Sequence, residues 1–303
     1  MPENQTQLNI QWFPGHMTKT LRKITEILPQ IDAVCDIRDA RAPGYSENSA
    51  LLEVTQGRPR LIVLNKRDLA DERETAAWSE HFRALGFAVL TCDSQSGRGT
   101  ADFKPKLEAL LSEKIAAKKL KGQTGMTLRV MVMGIPNSGK SSFINRVAGR
   151  RAAEAQDRPG VTRGGKWVTA GTGSAGIGFE LYDTPGVLPP KIAPPERAEV
   201  LAFCGSVRDE VTDTEAIASR LMLFLWKNYR GNLSERYKLG ENAELDELEP
   251  LRLIAERRGF LQRGGGYDAE RAAVVLLDEF RAGLLGKITV QLCPSKPGRQ
   301  ENA

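Results

Sequence analysis

The first part of the chain consists of short apolar runs that alternate with polar or amphipathic stretches. Runs of this kind, rich in Val, Ile and Leu and bounded by glycine or polar residues, are typical of buried strands. The predicted strands cover residues 31–37, 61–64, 87–91, 127–133 and 179–183, with a predicted helix over 72–85. The alternation of strands with helices favours an α/β fold with a doubly wound, mostly parallel sheet.

The pattern changes after residue 186. Residues 187–196 contain four prolines, a composition typical of a stiff linker and of a domain boundary. Beyond it, apolar residues recur at helical spacing behind a capping box, Thr212 with Glu215, and behind a second cap at Asp268, which predicts helices. We therefore expect an α/β domain over 1–190, a small all-α C-terminal domain over 191–290 and a flexible tail over 291–303.

One stretch carries most of the candidate chemistry. Residues Gly134 to Ser141 spell G-x-x-x-x-G-K-S between a predicted strand and a predicted helix. In that context the backbone N–H groups and the helix N-terminus form a cradle for phosphates. Lys140 would reach the β- and γ-phosphates, and the Ser141 hydroxyl would bind Mg²⁺. The alternative is a glycine-rich turn before an ordinary helix. The other loop residues expected to contact nucleotide are Asn137, Ser138, Gly139 and Ser142.

A second motif predicts which base the phosphates carry. The apolar run 61–64 ends in the N-K-x-D sequence that contains Asn65, Lys66 and Asp68. A carboxylate at the carboxyl end of a strand can accept hydrogen bonds from guanine N1–H and N2–H₂, whereas adenine offers no such pair, so the wrong base would leave the carboxylate unpaired. Asp68 is therefore the expected guanine reader, with Asn65 and Lys66 in the same nucleotide site. The alternative is a strand end followed by an Asp N-cap.

Two further segments would contact the γ-phosphate. The predicted strand 179–183 ends in a D-x-x-G sequence that runs from Asp183 to Gly186. Asp183 would hold the Mg²⁺ shell through water, and the Gly186 N–H would sense the γ-phosphate. Thr162, in a polar, glycine-rich segment after the phosphate loop, is the candidate threonine for Mg²⁺ and the γ-phosphate. Both segments also suit ordinary turns.

The order of these motifs is permuted. In Ras-like GTPases the phosphate loop comes first and N-K-x-D last, whereas here N-K-x-D precedes the phosphate loop. This order occurs together with W-F-P-G-H-M at 12–17, D-A-R-A-P at 39–43, the loop G-I-P-N-S-G-K-S and G-K-I-T at 286–289. Over nearly its whole length the chain thus resembles the YlqF/RbgA family of circularly permuted ribosome biogenesis GTPases. The resemblance implies a circularly permuted P-loop GTPase domain followed by a small all-α C-terminal domain.

The resemblance also implies an activity, its cofactors and its partners. It implies a GTPase that uses GTP/GDP and Mg²⁺ and takes part in assembly of the large (50S) ribosomal subunit. Such a protein would bind rRNA or the pre-ribosome in its GTP state, hydrolyse GTP under stimulation by the subunit, and leave afterwards.

The catalytic group implied by the resemblance is His16. Val187 and Leu188 follow D-x-x-G, at the place where Ras-like enzymes carry a Gln that orients the attacking water. The mobile catalytic histidine of the family matches His16, which we expect to orient or activate the water once a partner positions it. The alternative is a turn histidine that is merely hydrogen-bonded.

Two loop assignments complete the expected site. The amide oxygen of Asn137 can help bind K⁺ beside the β- and γ-phosphates, as in potassium-stimulated relatives with a matching asparagine. Alternatively, it is an asparagine tolerated in a tight loop. Residues 92–99 take the place of the guanine-supporting S-A-K loop but depart from its letters. Asp93 and Ser94 match best, and we expect their backbone to contact guanine O6.

Composition indicates the setting in which the protein works. The formal net charge is +5, and basic residues gather in 104–121 and 146–166. Such clusters are either solvated faces and linkers or surfaces for RNA phosphates. Four scattered cysteines argue against a metal cluster or disulfides and for a reducing compartment. With no apolar N-terminal segment, we expect a cytoplasmic monomer with neither a membrane nor DNA as a partner.

Two other functions fit parts of the pattern. An RNA-binding assembly scaffold, in which nucleotide only modulates affinity, would share the basic segments. An ATP-using P-loop enzyme such as a kinase would share the phosphate loop, but Asp68 argues against it.

Overall fold

The computed structural model describes residues 14–122, 125–149, 165–173, 176–189, 192–262 and 264–294, with side chains from residue 19 onward except that of residue 211. The strands are β1 Ala33–Asp39, β2 Arg60–Asn65, β3 Ala88–Thr91, β4 Thr127–Met133, β5 Lys166–Thr172 and β6 Gly178–Asp183. The α-helices are α1 Pro14–Ile27, α2 Ser49–Val54, α3 Glu72–Ala84, α4 Phe103–Leu110, α5 Ser112–Leu120, α6 Lys140–Ala148, α7 Pro195–Phe203, α8 Thr214–Asn228, α9 Arg230–Tyr237, α10 Arg252–Arg258 and α11 Ala269–Arg281.

The six strands form one sheet in the order β3-β2-β1-β4-β6-β5. Every neighbouring pair is parallel except β5 with β6, which is antiparallel. This confirms the predicted doubly wound, mostly parallel sheet. The first strand, β1, lies in the centre of the sheet. Strands β2 and β3 are added on one side of it, and β4 is then added on the other side. The order therefore reverses between β1 and β4, which is where open α/β sheets form their ligand crevice.

Helices cover both faces of the sheet. On one face, Phe103 of α4 and Phe143 of α6 pack edge to face in a core that includes Ile37 of β1. On the other face, Ile24 of α1 packs in a core with Met133 of β4. Because the central strands are buried on both sides, they read in the sequence as continuous apolar runs.

Helices α7 to α11 form the helical part, and they pack directly on the α/β part. One hydrophobic core joins Leu221 of α8 and Leu276 of α11 with Ala42, Ile135 and Leu188 of the α/β part. Ile135 lies inside the G-x-x-x-x-G-K-S loop. The helical part is therefore in contact with the loop that the sequence assigns to phosphates.

The chain returns to the α/β part after α11. Residues 286–293, here called the C-terminal segment, donate the N–H of Ile288 to the Leu69 carbonyl and the N–H of Val290 to the Arg41 carbonyl. The Gln291 side chain accepts two backbone N–H groups of the 43–45 turn, and Cys293 is fully buried. Residues 291–293, assigned to a flexible tail from the sequence, are instead packed on the α/β part, because these backbone bonds are long-range and leave no local pattern.

Several local predictions differ from the structure by a few residues. The first helix begins at Pro14, so the 14–17 part of W-F-P-G-H-M is helical, in keeping with the preference for Pro at the first helical position. The N-cap of α8 is Asp213, which accepts the Ala216 N–H, rather than Thr212. Asp268 caps α11 as predicted. Across the described residues, we find no helix of the length and apolar character that crossing a membrane requires.

Candidate functional site

The loops with candidate chemistry follow the carboxyl ends of four parallel strands. N-K-x-D begins at the last residue of β2, the 92–99 loop follows β3, G-x-x-x-x-G-K-S follows β4 and D-x-x-G begins at the last residue of β6. Since parallel strands end at the same edge of the sheet, the structure brings these four sequence motifs together. Permutation of the chain has not separated them.

The phosphate loop turns sharply at two glycines. Gly134 has φ of +156°, and a Cβ there would lie 2.5 Å from the Ile37 carbonyl oxygen. Gly139 has φ of +89°, and a Cβ there would overlap the Asn65 side-chain amide. Both positions require a residue without a side chain. Helix α6 begins at Lys140 directly after the second glycine, so Ser141 and Ser142 lie in its first turn, where backbone N–H groups are unpaired.

Lys140 lies inside the loop instead of extending into solvent. Its Nζ donates a hydrogen bond of 2.8 Å to the Ile135 carbonyl oxygen, and the residue is only 8% exposed. Burial lowers the pKa of Lys140 to about 8, although Asp183 opposes the shift. A desolvated ammonium is a strong ligand for phosphate oxygens, because a buried charge interacts far more strongly than one in water.

Asp183 lies at the end of β6, beside the phosphate loop. It is 3% exposed, and its Oδ1 is buried without a hydrogen-bond partner among the described residues. Burial raises the pKa of Asp183 to about 6, although Lys140 and Lys166 oppose the shift. An orphaned carboxylate oxygen within reach of the Lys140 charge fits a magnesium ion held through water.

Gly186 passes close to the phosphate loop. A Cβ at this position would lie 2.7 Å from the Lys140 Nζ and 3.2 Å from the Pro136 Cα. The D-x-x-G loop can therefore approach the phosphate loop only because this residue lacks a side chain. That proximity fits a backbone N–H that senses the γ-phosphate.

Asn65 joins three of the four loops. Its Nδ2 donates to the Ser138 carbonyl oxygen at 3.0 Å, and its Oδ1 accepts the Ser94 N–H at 3.1 Å and the Ser94 hydroxyl at 2.7 Å. The side chain is buried, so these bonds are shielded from water. Asn65 therefore shapes the nucleotide site by fixing the N-K-x-D loop to its two neighbours.

Asp68 and Lys66 differ in their surroundings. Asp68 is exposed, and desolvation by the neighbouring protein raises its pKa. Lys66 has φ of +60°, and its Nζ forms an ion pair of 3.1 Å with Oδ2 of Asp39. The Asp68 carboxylate, which is expected to read guanine, is thus accessible to a ligand, whereas the Lys66 side chain is paired with Asp39.

Asp93 and Ser94 are hydrogen-bonded within the protein. The Asp93 N–H donates to the Arg98 carbonyl and the Ser94 N–H to Asn65. Because guanine O6 is an acceptor, a backbone contact with it needs an N–H, and both are already used. The Asp93 carboxylate accepts the N–H groups of Gln95 and Ser96. In the nucleotide-free chain these bonds shape the loop and position Asn65, and a backbone contact with guanine O6 stays a prediction.

Two of the expected site residues cannot be placed. Thr162 lies outside the described residues, as does the side chain of His16, although its backbone belongs to the first turn of α1.

The sequence did not predict one contact of the phosphate loop: Asn137 donates through Nδ2 to the Gly205 carbonyl oxygen of the helical part at 2.7 Å. Sequence reasoning assigned no role to Asp39 and Arg41, although the D-A-R-A-P sequence marked them out.

Comparison with known proteins agrees with this geometry. A family model described as "50S ribosome-binding GTPase" matches residues 129–249. The chain is 38% identical to "Ribosome biogenesis GTPase A" of Bacillus cereus over 96% of each chain. It is 32% identical to "Mitochondrial ribosome-associated GTPase 1" of Mus musculus, covering 92% of this chain and 89% of the relative.

A solved structure supports the same conclusion. The GDP-bound structure of TM YlqF has a TM-score of 0.62 and 27% identity to this chain, covering 91% of this chain and 100% of that one. The similarity extends through both the α/β part and the helical part. Together with the permuted motifs meeting at one sheet edge, these comparisons establish that the chain is a GTPase and belongs to the YlqF/RbgA family of ribosome biogenesis GTPases.

Proposed function

We propose that this GTPase binds GTP and Mg²⁺ at the carboxyl edge of its sheet, docks on a precursor of the large (50S) ribosomal subunit in that state, and leaves after hydrolysis. The observation that carries the proposal is the contact between the phosphate loop and the helical part, through Ile135 and Asn137. Because these two residues belong to the phosphate loop, a conformational change of that loop on loss of the γ-phosphate is passed to the helical part by direct contact.

The nucleotide is held by the residues assembled above. Asp68 accepts from guanine, Lys140 and the N–H groups of Ser138 to Ser142 bind the phosphates, and Ser141, Thr162 and Asp183 provide the magnesium ligands, the last through water. Bound Mg²⁺ supplies positive charge to the β- and γ-phosphate oxygens. The amide oxygen of Asn137 binds K⁺ beside the β- and γ-phosphates.

His16 orients or activates the attacking water. The support from the fold is the direction of α1. This helix leads through Leu28–Gln30 into the amino end of β1 and packs on the sheet through Ile24. Its first turn, which contains His16, therefore points toward the carboxyl edge, where the nucleotide loops lie. Docking on the ribosomal precursor brings the histidine into position.

The rRNA contacts combine the helical part with basic α/β surface. Helix α5 and the residue after it carry Lys118, Lys119 and Lys121 around Leu120, which is 89% exposed. Each phosphate neutralised by such lysines releases counterions, so affinity for the subunit falls as salt rises. The protein is a cytoplasmic monomer in this proposal, with neither a membrane nor DNA as a partner.

The test is GTP hydrolysis with and without purified large subunits, in K⁺ and in Na⁺. We expect subunits to stimulate wild type, and His16→Ala to lose about 100-fold of the stimulated rate while retaining its affinity for GTP. His81→Ala is the matched control, because His81 lies in α3 against the Trp78 ring. Failure of subunits to stimulate would instead favour the RNA-binding scaffold whose affinity nucleotide only modulates, and normal hydrolysis by His16→Ala would remove that residue from catalysis.

A further inference from the structure

The D-A-R-A-P turn at the end of β1 contains a buried ion-pair cluster beneath the N-K-x-D loop. Asp39 accepts the Arg41 guanidinium through both carboxylate oxygens, at 3.0 Å from Nε and 2.8 Å from Nη2. The same Oδ2 also pairs with Lys66 at 3.1 Å. Asp39 and Arg41 are each 1% exposed, so one buried carboxylate is shared by two cations.

The turn that carries Asp68 depends on Lys66. Lys66 adopts a left-handed backbone conformation, which is unfavourable for a residue with a long side chain and persists only where surrounding contacts enforce it. Its carbonyl accepts the Leu69 N–H, which closes the turn around Asp68. The ion pair with Asp39 holds the end of the Lys66 side chain, and such a contact favours one conformation of Lys66 and of the turn.

Strand pairing places the cluster next to Asn65, the first residue of N-K-x-D. Asp39 is opposite Asn65 in the β1–β2 register, and the Ala40 N–H donates to the Asn65 carbonyl at 2.8 Å. Burial alone would raise the pKa of Asp39, but Arg41 and Lys66 hold it well below its usual range. The carboxylate is therefore ionised whenever the protein is folded near neutral pH, and it remains available to Lys66.

We propose that Asp39 is a positioning residue for guanine recognition: its carboxylate fixes Lys66 and thereby sets Asp68 where it can accept both guanine N1–H and N2–H₂. This inference rests on the proposed role of Asp68 as the guanine reader. Arg41 extends the arrangement into the helical part, because its guanidinium lies 5.1 Å from the centre of the Phe280 ring and reaches the Cys204 carbonyl oxygen.

The test compares the dissociation constants of GDP and inosine diphosphate. Inosine lacks the 2-amino group, so the ratio of the two constants reports the hydrogen bond between that group and Asp68. We expect a ratio of about tenfold or more in wild type, the value of a hydrogen bond to a charged group. In Asp39→Asn the ratio falls toward one, because Lys66 is released and Asp68 loses its position.

Asp36→Asn is the matched control. Asp36 lies on the same strand, is equally buried and pairs with Arg38 two residues later, just as Asp39 pairs with Arg41. The register places it opposite Ile62 rather than Asn65. This variant should lose stability but keep the wild-type ratio, whereas a purely structural role for Asp39 would give both variants the same result.

A second variant covers the possibility that Asp39→Asn does not fold. Lys66→Met breaks the same ion pair from its partly exposed side and should also lower the ratio; an unchanged ratio in this variant overturns the inference. An unchanged ratio in a folded Asp39→Asn does the same. If Asp68→Asn has the same ratio as wild type, Asp68 does not read guanine. This result would overturn the role of Asp68, whereas the two variants above test the role of Asp39.

Discussion

Asn137 in the phosphate loop donates a hydrogen bond of 2.7 Å to the carbonyl oxygen of Gly205 in the helical part. Asn137 has φ of +57°, a left-handed conformation that asparagine adopts more readily than most residues. The bond uses the amide nitrogen and leaves the amide oxygen for another contact. One side chain can therefore join the helical part and a cation beside the phosphates.

Replacing Asn137 separates these two contacts. Asn137→Ala removes the amide oxygen as well as the bond to Gly205, so we expect K⁺ to stop stimulating GTP hydrolysis relative to Na⁺. Asn137→Asp retains an oxygen ligand and removes the N–H donor, so stimulation by K⁺ should persist. In both variants, hydrogen exchange at residues 204–207 should become faster by about fivefold to tenfold, the value of one hydrogen bond. Stimulation by K⁺ in Asn137→Ala would exclude this residue as a cation ligand.

Asn65→Ala should weaken both the fold and nucleotide binding. The substitution removes a buried side chain that joins Ser138 and Ser94, so we expect a loss of about 2–3 kcal/mol in the free energy of unfolding and a large loss of GDP affinity. Chemical denaturation and titration with GDP measure the two effects.

The control for this prediction is Asn232→Ala. Asn232 also donates its amide to a backbone carbonyl, that of Leu285, but within the helical part. It should lose stability without losing affinity for GDP. Equal affinities for GDP in Asn65→Ala and wild type would contradict the role of Asn65 as the link between the loops.

Asp183→Asn should change how stability depends on pH in the nucleotide-free protein. The pKa of Asp183 is raised from 3.8 to about 6 by folding, so the folded state binds more protons between these values. Stability contributed by the protonated group is therefore lost as pH rises from about 4 to about 6. Without this titration, the variant should be more stable than wild type at pH 7 by up to about 3 kcal/mol.

Urea unfolding of the nucleotide-free protein between pH 4 and pH 7 measures this effect. Mg²⁺-dependent binding of GTP should be impaired in the same variant, because the carboxylate that we assign to the magnesium shell is gone. Parallel pH profiles for wild type and Asp183→Asn would contradict the raised pKa. A gain in stability together with a loss of affinity would identify Asp183 as a residue kept for function at a cost to the fold.

The sequence predicted the elements whose signals are local. The strand before the phosphate loop matches β4 residue for residue, and the helix predicted over 72–85 matches α3 to within one residue. Strand β5 escaped prediction because Gly171 interrupts it and half of its side chains are exposed. It is held by pairing with β6, which a local pattern cannot reveal.

The sequence motifs indicate candidate residues for phosphate and guanine binding, but not the contacts that hold those residues in place. Lys140 and Asp68 stand within motifs whose spacing indicates phosphate and guanine. The ion pair between Asp39 and Lys66 joins the last residue of β1 to the residue that follows β2, and its formation depends on burial and strand register, which a local sequence pattern does not reveal. The intraprotein bonds of the Asp93 and Ser94 N–H groups were likewise not predictable, because their partners, Arg98 and Asn65, are identified only by the folded loop.

The C-terminal segment attaches the helical part to the α/β part at a second point. The chain leaves the α/β part after residue 186 and is fastened to it again through Ile288, Val290 and Gln291. A break in the proline-rich stretch would leave the two parts associated, because the far end stays anchored beside α3. Two attachments, with a shared hydrophobic core between them, therefore limit how far the helical part can move relative to the phosphate loop.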